Sequence, residues 1–243
     1  MLRAPDGILL VTPVWRDSAR LEAFGSELAG ALAGSSLPVT WIVADDGSGE
    51  HERDRLATLA DGYRASFPHV HTHFADVHRG KGAVVREAWS LAPQARWFAF
   101  VDADGSIPAH DLLRLLKRAV EDGVSAIGIR QQTATTVLEQ HPFRAVTHRL
   151  FLNLARVVLG LQSRDIQCGA KIIHGDDYRM IVSRLEECGL AFDSELLTTL
   201  ARAGASWTEV PVNWREKGGG RVKPLRHAWS MITALMRMRR KLR

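Results

Sequence analysis

The chain has 243 residues, 46% of them hydrophobic and 24% charged, which is enough apolar material for one sizeable core and an ordinary globular balance. Its formal net charge is +5 with a pI near 9.6, but five of the positive charges lie in the terminal "RMRRKLR" from Arg237 onward, so the rest is close to neutral and no nucleic-acid-binding stripe is expected. No apolar run of about 18 residues is present, which speaks against a transmembrane helix, and the start "MLRAPDGILLVTPVW" lacks the pattern of a secretory signal.

Apolar runs alternate with helical patterns from the beginning. Residues 7–15 read as a strand, 21–32 as a helix, 39–47 as a strand and 51–65 as a helix. A strand over 69–76, a helix over 82–92, a strand over 96–104, a helix over 109–122 and a strand over 125–130 follow. Such alternation predicts an α/β protein with a mostly parallel sheet covered on both faces. In 141–161, Phe143, Val146, Leu150, Leu154, Val157 and Leu161 recur at spacings of three and four, which defines one helical face. "GAKIIHG" and "SWTEVPVNW" read as strands with the helix "DSELLTTLARAG" between them. Residues 215–224 form a glycine-rich basic loop, and 225–243 a helix that is apolar early and basic late. Cys168 and Cys188, the two cysteines, are expected to be reduced, buried thiols of a cytoplasmic protein.

Three strands end in polar residues: Thr12 with Asp17, Asp45 with Asp46, and Asp102 with Asp104. Parallel sheets bind ligands beyond the carboxyl ends of their strands, so all three point at one crevice. Two aspartates at i and i+2 can reach one hard divalent cation, Mg²⁺ or Mn²⁺, whose remaining oxygens a nucleotide diphosphate supplies. Alone the pattern is weak, since Asp and Gly also suit ordinary turns. Asp45 and Asp46 are candidates for a ribose hydroxyl or a base edge, or else for a turn before a helix. In "HRGKGAV", Gly80 and Gly82 permit close backbone approach and Lys81 suits phosphate. Neither a Walker A spacing nor a G-x-G-x-x-G fingerprint is present.

The order of "DDGS", "RGKGAVVREAW", "VDADG", "DIQCGAK", "FDSELL" and "EVPVNW" resembles the inverting family 2 glycosyltransferases over nearly the whole chain. More narrowly it is similar to the polyprenyl-phosphate (dolichyl-phosphate) glucosyl- and mannosyltransferases. The resemblance implies a glycosyltransferase A fold, a Rossmann-like single domain with a C-terminal amphipathic helix. It implies a catalytic domain over 1–224, with a nucleotide-sugar half at 1–130 and an acceptor half at 131–224, followed by the helix at 225–243.

Carried over by position, the resemblance assigns Pro13, Trp15 and Asp17 to the nucleoside, although the family's Tyr, Asn and Glu are here Trp15, Arg16 and Asp17. It assigns Asp45 and Asp46 to the nucleoside and sugar phosphate, and Asp102 and Asp104 to the metal. Ser106 stands where many mannosyl members have Gln, as a third metal ligand. Lys81, Arg215 and Arg221 would neutralise the leaving diphosphate. On the acceptor side it implies Arg130, Arg144, His148, Gln167 and Lys171, with Asp193 and Glu195 orienting the basic groups; Arg144 and His148 share a helix face.

The expected reaction is transfer of a hexose from a UDP-glucose or GDP-mannose type donor to a polyprenyl monophosphate. Asp104, Arg130 and Arg144 would be catalytic, and no general base would be required because the acceptor is already an anion. Residues 142–161 and 225–243 would touch an anionic membrane from the cytoplasmic side, or would instead pack on the core. The alternatives are a family 2 enzyme acting on a hydroxyl, for which Asp193 or Glu195 would serve as base, and a non-catalytic nucleotide-sugar binder.

Overall fold

A computed structural model describes residues 7–139, 142–218 and 224–241, with side chains at 7–139, 149–218 and 231–241. Strands β1 (Ile8–Val14), β2 (Val39–Asp45), β3 (Val70–Phe74) and β4 (Trp97–Val101) alternate with helices α1 (Ser18–Ala33), α2 (Glu50–Arg64) and α3 (Lys81–Ser90). Then come α4 (Ala109–Asp122), β5 (Ser125–Ile129), the short β6 (Leu138–Glu139) and α5 (Pro142–Leu159). The chain closes with β7 (Ala170–His174), α6 (Gly175–Ile181), a single 3₁₀ turn, α7 (Phe192–Arg202), β8 (Trp207–Pro211), β9 (Trp214–Arg215) and α8 (Pro224–Lys241).

The main sheet has the order β3-β2-β1-β4-β7-β5-β8. Its pairs are parallel except those of β7, which runs antiparallel to β4 and β5. β6 and β9 form a separate two-stranded ribbon. The chain leaves β1 for β2 on one side and returns to β4 on the other. The crevice beyond β1 and β4 is therefore a topological switch point, where α/β sheets bind ligands.

The period-two pattern of β1 divides the core. Ile8 and Leu10 face the layer of α1, α2 and α4, whereas Leu9 and Val11 face the layer of α3, α7 and α8. Leu112, Leu115, Leu116 and Ala119 place the apolar stripe of α4 on the first face, and Gly123, at φ 68°, ends that helix in the left-handed region. Trp41 and Trp89 are fully buried. Each indole N–H is satisfied, by Thr12 Oγ1 at 2.9 Å and by the Ala99 carbonyl at 3.1 Å. Burial of such a side chain stabilises by roughly 1.5–3 kcal/mol or more.

Helix α5 splits the face read from the sequence between core and surface. Leu152, Ala155 and Leu159 turn to the core, while Leu150, Leu154 and Val157 are exposed. This helix is apolar on two sides, and the spacing that marks one face does not say which of them meets the core. In α8, Ala234, Leu235 and Met238 are buried in the second core layer. The thiol of Cys168 is buried and pushed up to about 12 by burial; Cys188, expected to be buried, is half-exposed at the cavity lip.

Candidate active site

A cleft of about 980 Å³ opens at the switch point, within the range of small-molecule sites. The ends of β1 and β2, the loops before α3 and after β4, the 186–191 segment and α8 enclose it.

The loop after β4 carries the acidic pair. The Asp102 N–H donates to the Gly169 carbonyl at 2.9 Å, which fixes the loop to the lead-in of β7. The Asp102 carboxylate lies over Gly169 so closely that a Cβ there would come within 2.2 Å of Oδ2. Gly169 thus leaves the space that the carboxylate fills. Asp102 Oδ1 is 2.8 Å from the Lys81 ammonium. Asp104 accepts the Ser106 N–H at 2.9 Å and faces Arg20 Nη1 at 3.4 Å. Burial, together with Asp104 and Asp193, raises the Asp102 carboxyl above its usual range against the pull of Lys81.

Lys81 opens α3. Its ammonium bonds Asp102 and also Asp193 Oδ2, at 3.0 Å. Burial works against its charge, but the two carboxylates outweigh burial and hold its pKa above the ordinary value. The turn before it is built by Asp46, which accepts the N–H groups of Arg79 at 2.9 Å and Gly80 at 2.7 Å and lies 2.8 Å from His78 Nδ1. Gly80 has φ 109°, and a Cβ there would meet the Cys188 carbonyl at 2.5 Å. Both the positive φ and the close approach require glycine.

On the other side of the crevice Trp15 stacks on His78, with centroids 4.1 Å apart and planes at 17°. Asp17 precedes α1 and bonds Arg20. Together these groups give an aromatic platform next to alternating charges, an arrangement suited to a nucleoside diphosphate.

Of the expected residues, Pro13, Trp15, Asp17, Asp46, Lys81, Asp102, Asp104, Ser106 and Glu195 line the cleft. Asp45 does not: it is fully buried and accepts the Ser48 N–H at 3.1 Å. Arg130 is half-buried off the cleft lining, in a two-pronged pair with Asp165 at 2.7 and 2.8 Å, with its guanidinium over Trp214. Arg215 points outward and pairs with Glu139. Gln167 contacts Met231 and lies off the lining. Lys171 and Asp193 are buried behind the wall. The side chains of Arg144 and His148, and all of Arg221, lie outside the described residues.

Asp193 is also unsuited to the role of base. Burial would raise its pKa, but Lys171 and Lys81 outweigh burial and hold it below the usual range. Glu195 differs. It accepts the N–H groups of Glu186 at 3.0 Å and Glu187 at 2.8 Å, and burial lifts its carboxyl above the ordinary value despite those bonds. Sequence reading missed Arg20, whose spacing of three from Asp17 was visible. It also missed His78, Arg237 and Lys241; the last two lie in the helix that was expected either to touch a membrane or to pack on the core, and they line the cleft.

Among the described residues no cluster of three or more His, Cys, Asp or Glu surrounds a single metal position. Asp102 and Asp104 still fit a hard divalent ion in company with a diphosphate. They offer only oxygens, keep 42% and 26% side-chain exposure towards the cleft, and Gly169 gives Asp102 its room.

These features define a nucleotide-sugar transferase of the glycosyltransferase A fold. Residues 12–176 match the family described as Glycosyl transferase family 2, and the chain belongs to that family. It is 26% identical over 196 residues to glycosyltransferase AglD of Haloferax volcanii, covering 81% of this chain but 31% of that protein's length. It is 27% identical over 238 residues to a dolichyl-phosphate beta-glucosyltransferase of Drosophila melanogaster, covering 92% of this chain and 70% of the relative. The fold matches the crystal structure of glucosyl-3-phosphoglycerate synthase from Mycobacterium tuberculosis, solved with Mn²⁺, UDP and glucosyl-3-phosphoglycerate. That likeness has a TM-score of 0.66 at 17% identity, covering 96% of this chain and 78% of the other.

The expectation of a polyprenyl monophosphate acceptor is corrected here. Solved structures that superpose on almost the whole chain carry UDP with phosphoglyceric acid, or UDP-glucose with glycerol 3-phosphate. Among the described residues no helix is long and apolar enough to cross a membrane. Arg130, expected to hold the acceptor phosphate, pairs with Asp165 and lies off the cleft lining.

Proposed function

We propose that this chain transfers a hexose from a UDP-linked sugar to a hydroxyl group of its acceptor. The observation that carries the reading is the meeting, at the switch point between β1 and β4, of Trp15 and Asp17 with Asp102 and Asp104 across one cleft. Trp15 and His78 bind the base by stacking. Lys81 and Arg20 neutralise the diphosphate, each moving from its carboxylate partner towards phosphate oxygen. A Mg²⁺ or Mn²⁺ ion held by Asp102 and Asp104 would add neutralisation of charge on the leaving diphosphate.

A hydroxyl is a poor nucleophile while it keeps its proton. With Asp102 assigned to the metal, Glu195 is the cleft-wall carboxylate left whose raised pKa suits proton acceptance. The hydroxyl oxygen forms its bond to the anomeric carbon, the bond from that carbon to the diphosphate oxygen breaks, and the hydroxyl proton passes to Glu195. Attack opposite the leaving group inverts the anomeric centre.

The test is a panel of UDP- and GDP-sugars with Mg²⁺ or Mn²⁺, offered phosphoglyceric acid, glycerol 3-phosphate and other polyols, with products read by mass spectrometry. A glycosylated hydroxyl that forms from a UDP-sugar and is lost in EDTA is the expected result. Failure of every donor to bind would overturn the assignment.

A further inference from the structure

Behind the cleft wall lies a charged group that the reaction above does not use. Lys171 on β7 is fully buried, opposite Phe100 of β4 in the antiparallel register. Its ammonium donates to the Cys168 carbonyl at 2.7 Å and to Asp193 Oδ1 at 2.5 Å, and lies 5.4 Å from the centre of the Phe100 ring. The other oxygen of Asp193 bonds Lys81, which bonds Asp102. Four charges of alternating sign thus run from the sheet interior to the cleft: Lys171, Asp193, Lys81, Asp102.

A buried ion pair is a poor source of stability, because an apolar side chain of similar volume often serves as well or better. Asp193 would also retain a cation in Lys81. The arrangement makes sense if Lys171 settles how Lys81 is shared. With one oxygen of Asp193 satisfied by Lys171, the other holds Lys81 at a point from which it still reaches Asp102. Without Lys171, Asp193 draws on Lys81 alone, and the site carries one more uncompensated negative charge where a diphosphate must approach.

We propose that Lys171 is a positioning residue of the donor site, acting through Asp193 to hold the Lys81 ammonium at the phosphate-binding end of the cleft. The inference rests on the nucleotide-sugar reading given above.

Calorimetric titration of UDP in Mn²⁺ tests it on the whole chain, with thermal melts to check folding. Lys171→Met fills the slot without charge and is expected to weaken UDP binding about tenfold. Adding Asp193→Asn removes the opposite charge but keeps an acceptor oxygen for Lys81, so the double variant is expected to return to within about threefold of the parent. A side chain that served only to fill space would show a lower Tm with UDP affinity unchanged, and that result overturns the proposal. If the single variant fails to fold, the double variant decides: parent-like UDP affinity supports the coupling, and tenfold weaker affinity in a folded double variant refutes it. A parent chain that binds no UDP overturns the donor assignment itself, and Lys171's role with it. Parent binding with an unaffected Lys171→Met removes only the positioning role.

Discussion

The two ends of the cleft are built differently. At the donor end Asp46, Lys81, Asp102 and Asp104 come from the edges of strands and the first turn of a helix, and neighbouring backbone groups fix them: Arg79 and Gly80 for Asp46, Gly169 for Asp102, Ser106 for Asp104. At the far end the wall is the 186–191 segment against α8, closed by the surface ion pairs of Arg237 with Glu187 and Lys241 with Glu186. Pairs this exposed contribute little and weaken in salt. Under the proposed function the donor end is preorganised, as charge stabilisation in a transition state demands, and the far wall is the side that would yield to an acceptor.

The sharpest way to break this contrast is at the acidic pair. Asp104→Ala is expected to lower transfer by about a thousandfold or more, a size typical of lost charge stabilisation at a reacting centre. Its side chain is partly exposed, so the melting temperature should stay within a few degrees. A steady-state assay beside a melt checks both, and near-parental turnover would remove Asp104 from the site.

Glu195 comes next, because it belongs to both regions: it holds the backbone of the far wall and faces the cleft. Glu195→Gln keeps an oxygen to accept those N–H bonds, so UDP affinity and fold should persist while kcat falls by about 10²–10⁴. A base must be ionised, and burial raises this carboxyl. The acid limb of kcat in the parent should therefore lie above the ordinary Glu value of about 4.5. The same shift has a sign for stability. The folded chain binds this proton more tightly than the unfolded chain, so the contribution of Glu195 to stability falls as pH rises from about 4.5 through the raised value. A parental profile in Glu195→Gln would return the residue to a purely structural role.

Gly80 joins the two regions, since its backbone approaches the Cys188 carbonyl of the far wall. Gly80→Ala meets both a positive φ and a steric overlap, and should cost about 1–3 kcal/mol in a denaturant titration. A neutral effect would mean the wall moves aside freely even in the absence of acceptor.

What the sequence made legible follows the same division. The strand ends of β1, β2 and β4 stood out because apolar runs stop abruptly at acidic residues, and that signal is local. It did not separate Asp45 from Asp46, because which of two adjacent carboxylates faces the cleft depends on how the chain turns at the strand end. Arg130 was visible at the end of β5, but its partner Asp165 lies 35 positions away and nothing local announces the pairing. The antiparallel insertion of β7 between β4 and β5 was equally hidden, as a five-residue strand pattern reads the same in either direction. The basic end of α8 was legible as charge, whereas its docking beside Glu186 and Glu187 depends on tertiary packing.

The smallest expected effect tests the far wall directly. Arg237 lies 2.7 Å from Glu187 with 60% of its side chain exposed, and both residues line the cleft. Arg237→Ala removes one latch and leaves Leu235 and Met238 packed in the core, so stability should fall by less than about 1 kcal/mol. Donor affinity should be unchanged, because Arg237 pairs with Glu187 and not with Arg20, Lys81, Asp102 or Asp104. The KM for acceptor should move severalfold, and raising salt should shift the parent in the same direction by screening the same pair. Equal changes in the KM of donor and acceptor would show that the two ends are not independent, and the contrast between a fixed donor end and a yielding acceptor wall would then have to be given up.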